Sequence, residues 1–315
     1  MMKKARLLIA LLAMLVTASA MAQDSYREAV KDYMTALDQF DEYKSKMSTI
    51  SMLFQRDGQV DIDQLTNRYF EEQLKNELID YSVSRMVSSG ITEADLKEMV
   101  FLLTTPQGKS YKTHTKDMAT EFGKFMYKPF LLLMEKYGKS TDEMVPYEPI
   151  ELWPGFNKGA PVQRKAEIDD AYAAKFNSVI MESVIAKSMI DAMKKSVEES
   201  RYASQYDDVE GYQKSYKEGT DRIINSVPTI MLNCAFGILT LEDLDYGAML
   251  MSNDTYCKFV NSNLTGFETN YGEAKNMAQS IYLNYLQWME GNGAKVTEDP
   301  EVLMNMFKSL LNFAD

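Results

Sequence analysis

The chain has 315 residues, of which 45% are hydrophobic, and it carries a formal net charge of −12. This negative charge argues against nucleic acid and anionic lipid as partners, because like charges repel. Cys234 and Cys257 are the only cysteines, which excludes a disulfide framework and a multi-cysteine zinc site. A chain of this length and apolar content can bury large cores without such cross-links.

The first element predicted along the chain is a secretory signal peptide over residues 1–22. Three basic residues precede an apolar run at 7–16, and Ala20 and Ala22 supply the small residues of a cleavage site. The run is too short to span a bilayer. Cleavage before Gln23 removes three positive charges and no negative ones, which changes the net charge from −12 to −15. We therefore expect an exported protein, periplasmic or secreted, with no membrane span after cleavage.

The remainder of the chain carries the periodicity of helices. Apolar residues recur three or four positions apart from Val30 onward, and the same spacing returns from Ile62 and from Phe176. This is the stripe of an amphipathic helix. No segment shows the sustained alternation of a half-buried strand, so the sequence predicts an all-α fold.

Helix boundaries are predicted from capping residues. Thr92 and Asp95 have the spacing of an N-terminal cap for a short helix over about residues 93–103. Thr105 can cap the next helix, in which Pro106 takes the first position because it lacks an amide hydrogen. Gly108 then permits close packing in the first turn.

Residues 104–110 read TTPQGKS and end like a phosphate-binding loop. A loop of that type needs a glycine at the position that Leu103 occupies, and it must follow a strand. Neither condition is met, because Leu103 is not glycine and a predicted helix precedes the segment. We interpret this segment as a capped junction between two helices.

The same pattern returns 148 residues later. Thr240 and Asp243 stand where the first copy has Thr92 and Asp95, and the flanking sequences ITEADL and LTLEDL align without a gap. We therefore predict a second cap at Thr240 and Asp243 and an internal duplication of one helical unit.

The predicted organisation is a signal peptide (1–22), helical unit one (23–139), a Pro-rich crossing segment (140–164), helical unit two (165–291) and a C-terminal helix (292–315). The crossing segment holds four of the eight prolines, so no helix can run through it. Its aromatic residues Tyr147, Trp153 and Phe156 are candidate anchors for a ligand or partner in a cleft between the two units. The alternative role of these aromatic residues is to pack the crossing segment against one unit.

Two motifs follow one another in the first copy, Thr92-x-x-Asp95-Leu96 and Thr105-Pro106-x-Gly108-Lys109. In this order, separated by an apolar helix, they resemble the bacterial periplasmic family catalogued as domain of unknown function 2059, over roughly residues 62–137. The resemblance implies a helical, exported protein. It implies no reaction, because no activity is assigned to that family.

Candidate catalytic residues are few. His114 is the only histidine, which excludes a paired-histidine metal site, and its polar helical setting predicts a surface side chain outside any Ser-His-Asp triad. We predict no metal and no cofactor. Cys234 and Cys257 either pair in an oxidising compartment or remain buried free thiols.

The favoured function is therefore a non-catalytic exported protein that binds a small molecule or an envelope partner between two helical units. A carboxylate-dependent hydrolase of the envelope is the enzymatic alternative. A structural or assembly factor with an exposed apolar face is the third reading.

Overall fold

The computed structural model describes residues 24–52, 54, 60–137, 162–198, 209–269 and 271–295, and its fold is all-α. The α-helices are α1 (24–36), α2 (Gln39–Ser51), α3 (Ile62–Tyr69), α4 (Lys75–Ser88), α5 (Glu93–Thr104), α6 (Pro106–Tyr137), α7 (Asp170–Phe176), α8 (Val184–Glu198), α9 (Val209–Ala235), α10 (Leu241–Met251), α11 (Asp254–Thr269) and α12 (Tyr271–Gly291). Two π-helical segments, Phe70–Leu74 and Asn177–Met181, follow α3 and α7. The described ranges contain no β-strand, and the all-α prediction is confirmed.

Packing divides the described residues into two compact units. Unit 1 takes the residues up to Thr104 and those from Asn261 onward, and unit 2 takes Thr105–Val260. The chain therefore enters unit 2 between α5 and α6 and leaves it within α11. This grouping differs from the sequence-based boundaries, because α6 belongs to predicted unit one yet packs with α9 and α10. The internal duplication stays a prediction.

Unit 1 is held together by an aromatic contact between α3 and α12. Tyr69 and Tyr285 are fully buried, and their ring centroids lie 5.1 Å apart. The Tyr285 hydroxyl lies 2.7 Å from the Thr66 hydroxyl, and the Tyr69 hydroxyl donates to the Ile281 carbonyl at 3.2 Å. A buried phenol needs such partners to offset the loss of water. These bonds fix the orientation of α3 within the unit.

The start of α3 follows from a capping residue. The Asp61 side chain accepts a hydrogen bond from the Gln64 amide at 2.9 Å, which satisfies one of the unpaired amides of the first turn. After two turns the helix widens into the π-helical segment, where Phe70 and Leu74 are buried directly after Tyr69. The wider turn extends the buried face of α3 around the helix. Such π-helical turns are rare and occur frequently at functional sites.

Unit 2 packs α6, α9 and α10 around the second π-helical segment. The Asp169 side chain caps α7 by accepting from the Tyr172 amide at 2.7 Å. The Tyr172 hydroxyl donates to the Leu239 carbonyl at 2.9 Å, just before α10 begins. The fully buried members of this core are Phe176, Val227, Ile230, Ala235 and Leu244.

Within the part of the chain that the structure describes, no helix combines the length and the apolar character that crossing a bilayer requires.

Candidate functional site

Both predicted N-terminal caps have the same hydrogen bonds. Asp95 accepts from the Thr92 amide at 2.7 Å, and its own amide donates to the Thr92 hydroxyl at 3.2 Å. Asp243 and Thr240 exchange the equivalent bonds at 2.8 and 3.1 Å, which forms a capping box at the start of α10. The two boxes differ in their surroundings, because Asp95 is half-buried whereas Asp243 is only 3% exposed.

The junction before α6 places two polar side chains on one face of that helix. The helix begins at Pro106, and the Thr105 hydroxyl accepts from the Gly108 amide at 3.0 Å. Ser110 and His114 follow one turn apart, so both side chains lie on the same side of α6. Gly108 is buried, which agrees with close packing at this end of the helix.

These two side chains meet the buried carboxylate of Asp243. The Ser110 hydroxyl donates to Asp243 Oδ1 at 2.9 Å, and His114 Nδ1 lies 2.7 Å from Asp243 Oδ2. The Thr240 hydroxyl also donates to Oδ2, at 2.7 Å. We call Ser110, His114, Thr240 and Asp243 the Asp243 cluster. It joins α6 to α10 inside unit 2.

The hydrogen bonds keep the Asp243 carboxylate ionised. Burial alone would raise its pKa, but the bonds from the Thr240 amide and hydroxyl, from His114 and from Ser110 outweigh burial and lower that pKa below its usual range. An ionised carboxylate only accepts hydrogen bonds, so Nδ1 of His114 carries a proton in this contact. The Asp243 carboxylate therefore accepts four hydrogen bonds and holds no proton that it could donate.

The Asp243 cluster does not have the geometry of a hydrolytic triad. In such a triad the carboxylate bonds to Nδ1 of the histidine, and the nucleophilic hydroxyl bonds to Nε2. Ser110 Oγ instead lies 3.4 Å from Nδ1, and its proton is directed to Asp243. No base is therefore placed to activate this serine. The prediction that His114 is a plain surface side chain is wrong, since it is 34% exposed and bonds to a buried partner.

The surroundings of the Asp243 cluster are densely packed. The Tyr111 and Tyr246 rings lie 5.9 Å apart beside it, and burial raises the pKa of the Tyr111 phenol. A Cβ added at Gly247 would lie 2.8 Å from Val179 Cγ1 and 3.0 Å from a ring carbon of Tyr111. Only glycine allows α10 to approach α6 and the second π-helical segment this closely.

Unit 1 contains an open cleft between α2 and α3. Its volume is about 340 Å³, and we call it the α2–α3 cleft. The residues that line it are Lys44, Ser45, Met47, Ser48, Thr49, Ser51, Asp63, Thr66, Asn67 and Phe70. Five of these ten carry hydroxyl groups and one carries a carboxamide, so the cleft offers mainly uncharged hydrogen-bonding groups. Its last lining residue, Phe70, opens the first π-helical segment.

Several polar groups of the α2–α3 cleft are available to a ligand. Within the described ranges, the hydroxyls of Ser45 and Ser48 and the carboxamide of Asn67 make no hydrogen bond to another residue. The hydroxyl of Ser51, in contrast, already has partners within the protein. It donates to the Ser48 carbonyl at 2.6 Å and to Asp63 Oδ1 at 3.3 Å.

Sequence reasoning missed the α2–α3 cleft. Ser45 and Ser48 are three residues apart on α2, which reads as an ordinary solvated face. They become part of a site only because α3 lies opposite and contributes Asn67. The one sequence signal was the density of hydroxyls over residues 45–51, where four of seven side chains are Ser or Thr.

The other predicted site residues are placed as follows. Cys234 and Cys257 are both free thiols, so the predicted alternative of a disulfide is not formed. Cys234 is buried in the core of unit 2, where burial raises its pKa to about 11, and the Cys257 thiol donates to the Met251 carbonyl at 3.2 Å. The aromatic residues of the predicted crossing segment, 147, 153 and 156, lie outside the described residues, as do the predicted signal peptide and residues 296–315.

Among the described residues, no group of three or more His, Cys, Asp or Glu side chains is arranged to hold a metal ion. Comparisons with protein-family models, with curated proteins and with solved structures found no match to this chain. The resemblance to the family of domain of unknown function 2059 therefore stays a prediction.

Proposed function

We propose that this protein is exported and that it binds a small polar molecule in the α2–α3 cleft without transforming it. The observation that carries the proposal is the set of unpartnered groups in the cleft. The side chains of Ser45, Ser48 and Asn67 face the same space of about 340 Å³ and make no hydrogen bond to another residue in the described ranges. A ligand that satisfies them replaces water at little reorganisation cost, since both walls are helices.

The walls of the cleft support a preformed site. α3 is anchored from behind by Thr66, which bonds to Tyr285, and by the fully buried Tyr69. α2 buries Met47 and Ile50 on the side away from solvent. Because these contacts hold the backbone, the exposed side chains of the cleft can bind without a large ordering cost.

Export is proposed from the N-terminal sequence. Residues 1–22 combine a basic start, a short apolar run and a small-residue cleavage pattern. Intact-mass measurement of protein from the cell envelope should give a chain that begins at Gln23. A full-length chain recovered from the cytoplasm would contradict the export proposal. It would not affect the binding proposal.

The absence of a transformation is proposed from the geometry of the Asp243 cluster. Its carboxylate is saturated with hydrogen bonds, and Ser110 has no base at the catalytic distance and position. One observation favours the hydrolase alternative: within the described ranges, Nε2 of the half-buried His114 has no hydrogen-bond partner, so it could serve as a general base toward water. A turnover assay on His114→Gln tests that alternative separately.

A thermal-shift experiment tests binding in the cleft. A panel of monosaccharides, amino acids, inorganic phosphate and short polyols is added to the purified protein, and the melting temperature is recorded. A compound at 100 times its Kd should stabilise the protein by about 2.7 kcal/mol. Each compound that raises the melting temperature is then tested on Ser48→Tyr, whose ring fills the cleft, and on Ser84→Tyr as the matched control. Ser84 is an exposed residue of α4 that does not line the cleft.

We expect the control to keep the increase in melting temperature and Ser48→Tyr to lose it. Both substitutions are at exposed helical positions, so both variants should fold. An increase that persists in Ser48→Tyr would place binding elsewhere and overturn the proposal. A panel without any effect would do the same.

A further inference from the structure

We infer that the α2–α3 cleft takes a neutral, polyhydroxylated molecule, such as a sugar, in preference to an anion or a cation. This inference rests on the proposed function, because it names the chemical class of the molecule that the cleft binds. It follows from the charges at the edge of the cleft, from the chemistry of its unpartnered groups and from its size.

The cleft is lined by two charged residues of opposite sign, Lys44 on α2 and Asp63 on α3. Lys44 Nζ lies 3.8 Å from a carboxylate oxygen of Glu71, so an anion entering beside Lys44 meets an existing negative partner. Asp63 is on the other helix and repels anions as well. A cation at Asp63 competes with the Ser51 hydroxyl, which already donates to Asp63 Oδ1 at 3.3 Å, and it meets Lys44 on the opposite wall. The net charge of −12 disfavours anions further. The cleft therefore offers no complementary charge to an anion or to a cation.

The unpartnered groups match a molecule rich in hydroxyls. A serine hydroxyl both donates and accepts, and a carboxamide offers both functions from neighbouring atoms. Ser45, Ser48 and Asn67 can therefore pair with adjacent sugar hydroxyls, each of which also donates and accepts. A carboxylate only accepts at neutral pH, so it would leave the acceptor groups of the cleft without a donor.

The size of the cleft sets an upper limit on the molecule. Small-molecule sites occupy roughly 300–1,000 Å³, and the cleft is at the lower end of that range. It therefore has room for roughly one or two sugar rings, in keeping with the small-molecule scale of such sites.

A matched series of monosaccharides isolates the effect of charge. Glucose, glucosamine and glucuronate share one ring skeleton and are neutral, cationic and anionic at neutral pH. Titration calorimetry of each with the purified protein should give a Kd for glucose at least about tenfold below the Kd of the two charged analogues. Added salt should leave the glucose Kd unchanged, because a neutral ligand is not screened.

Two cleft variants and one control identify the binding groups. Ser48→Ala and Asn67→Ala should each raise the Kd for glucose by about fivefold to tenfold, the loss of one net hydrogen bond. Ser84→Ala should leave the Kd unchanged. All three positions are exposed, so the substitutions should not affect folding.

The outcomes separate this inference from the proposed function. Tighter binding of glucosamine or glucuronate, lost in Ser48→Tyr, would keep the cleft as a binding site and overturn its neutral specificity. Glucose binding that Ser48→Ala and Asn67→Ala do not weaken would overturn both statements. If no monosaccharide or polyol binds while an amino acid or inorganic phosphate binds in the cleft, only the inference fails.

Discussion

The imidazole of His114 and the carboxylate of Asp243 are 129 residues apart in the sequence, yet their Nδ1 and Oδ2 atoms lie 2.7 Å from each other. This contact joins α6 to α10 and brings the only histidine of the chain to a carboxylate that is 3% exposed. The same carboxylate also caps α10 through Thr240. One side chain thus both starts a helix and fixes that helix to its neighbour.

Replacing Asp243 with alanine should lower the free energy of unfolding by about 3 kcal/mol or more, because Thr240 loses its capping partner and the Ser110 hydroxyl and His114 Nδ1 lose a charged acceptor. The matched control is Asp95→Ala, which removes the equivalent capping carboxylate at a half-buried position. That control should cost only about 1 kcal/mol. Urea unfolding followed by circular dichroism measures both. Equal costs for the two substitutions would show that the contacts with α6 contribute nothing.

Asp243 should also make the stability of unit 2 sensitive to acid. Its pKa is lower in the folded protein than in the unfolded chain, so the unfolded chain binds the proton more readily. The resulting stabilisation is fully present above the unfolded pKa of about 3.9, and it is lost as the pH falls through the folded value. The difference in unfolding free energy between the wild type and Asp243→Asn should therefore shrink as the pH falls below the unfolded pKa of about 3.9. A difference that stays constant as the pH is lowered through this region would contradict the assignment.

Two helical glycines should respond in opposite directions to alanine. Gly247→Ala should destabilise the protein by about 1–3 kcal/mol, because the new methyl group meets the stiff side chain of Val179 at 2.8 Å. Gly123→Ala, on α6, should stabilise it by up to about 1 kcal/mol, since no atom lies within 4 Å and alanine favours the helix. Thermal unfolding of the two variants checks this pair. A stabilised Gly247→Ala would mean that α10 lies farther from its neighbours.

Leu96 and Leu244 follow the two capping boxes and are both 0% exposed. Truncation of either residue to alanine should cost about 2–5 kcal/mol through lost burial and the remaining cavity. Leu241 is the control on α10, because it is 54% exposed and its truncation should change the stability by less than about 0.5 kcal/mol. The midpoint of urea unfolding reports all three values. A cost below about 1 kcal/mol at Leu96 or Leu244 would contradict their place in the cores.

Local signals in the sequence predicted much of the fold. The 3.6-residue periodicity indicated helices, and the spacing of Thr92 with Asp95 and of Thr240 with Asp243 indicated where α5 and α10 begin. These signals act within one or two turns of the same helix, so a single sequence carries them fully.

Contacts between distant helices could not be predicted in this way. Ser110 and His114 look like solvated residues of α6, and nothing in their neighbourhood in the sequence indicates Asp243. The π-helical segments were also missed, because the apolar spacing used to predict helices does not distinguish a widened turn from an α-helical one. The α2–α3 cleft was missed for the same reason, since its two walls come from different helices.

The most direct test of binding in the α2–α3 cleft is an amide chemical-shift map of the protein titrated with glucose. We predict shifts concentrated at residues 44–51 of α2, at residues 63–69 of α3 and at Phe70, retained in Ser84→Tyr and absent in Ser48→Tyr. Shifts clustered instead around Ser110 and His114, or an unchanged spectrum of the cleft residues at saturating glucose, would contradict the account.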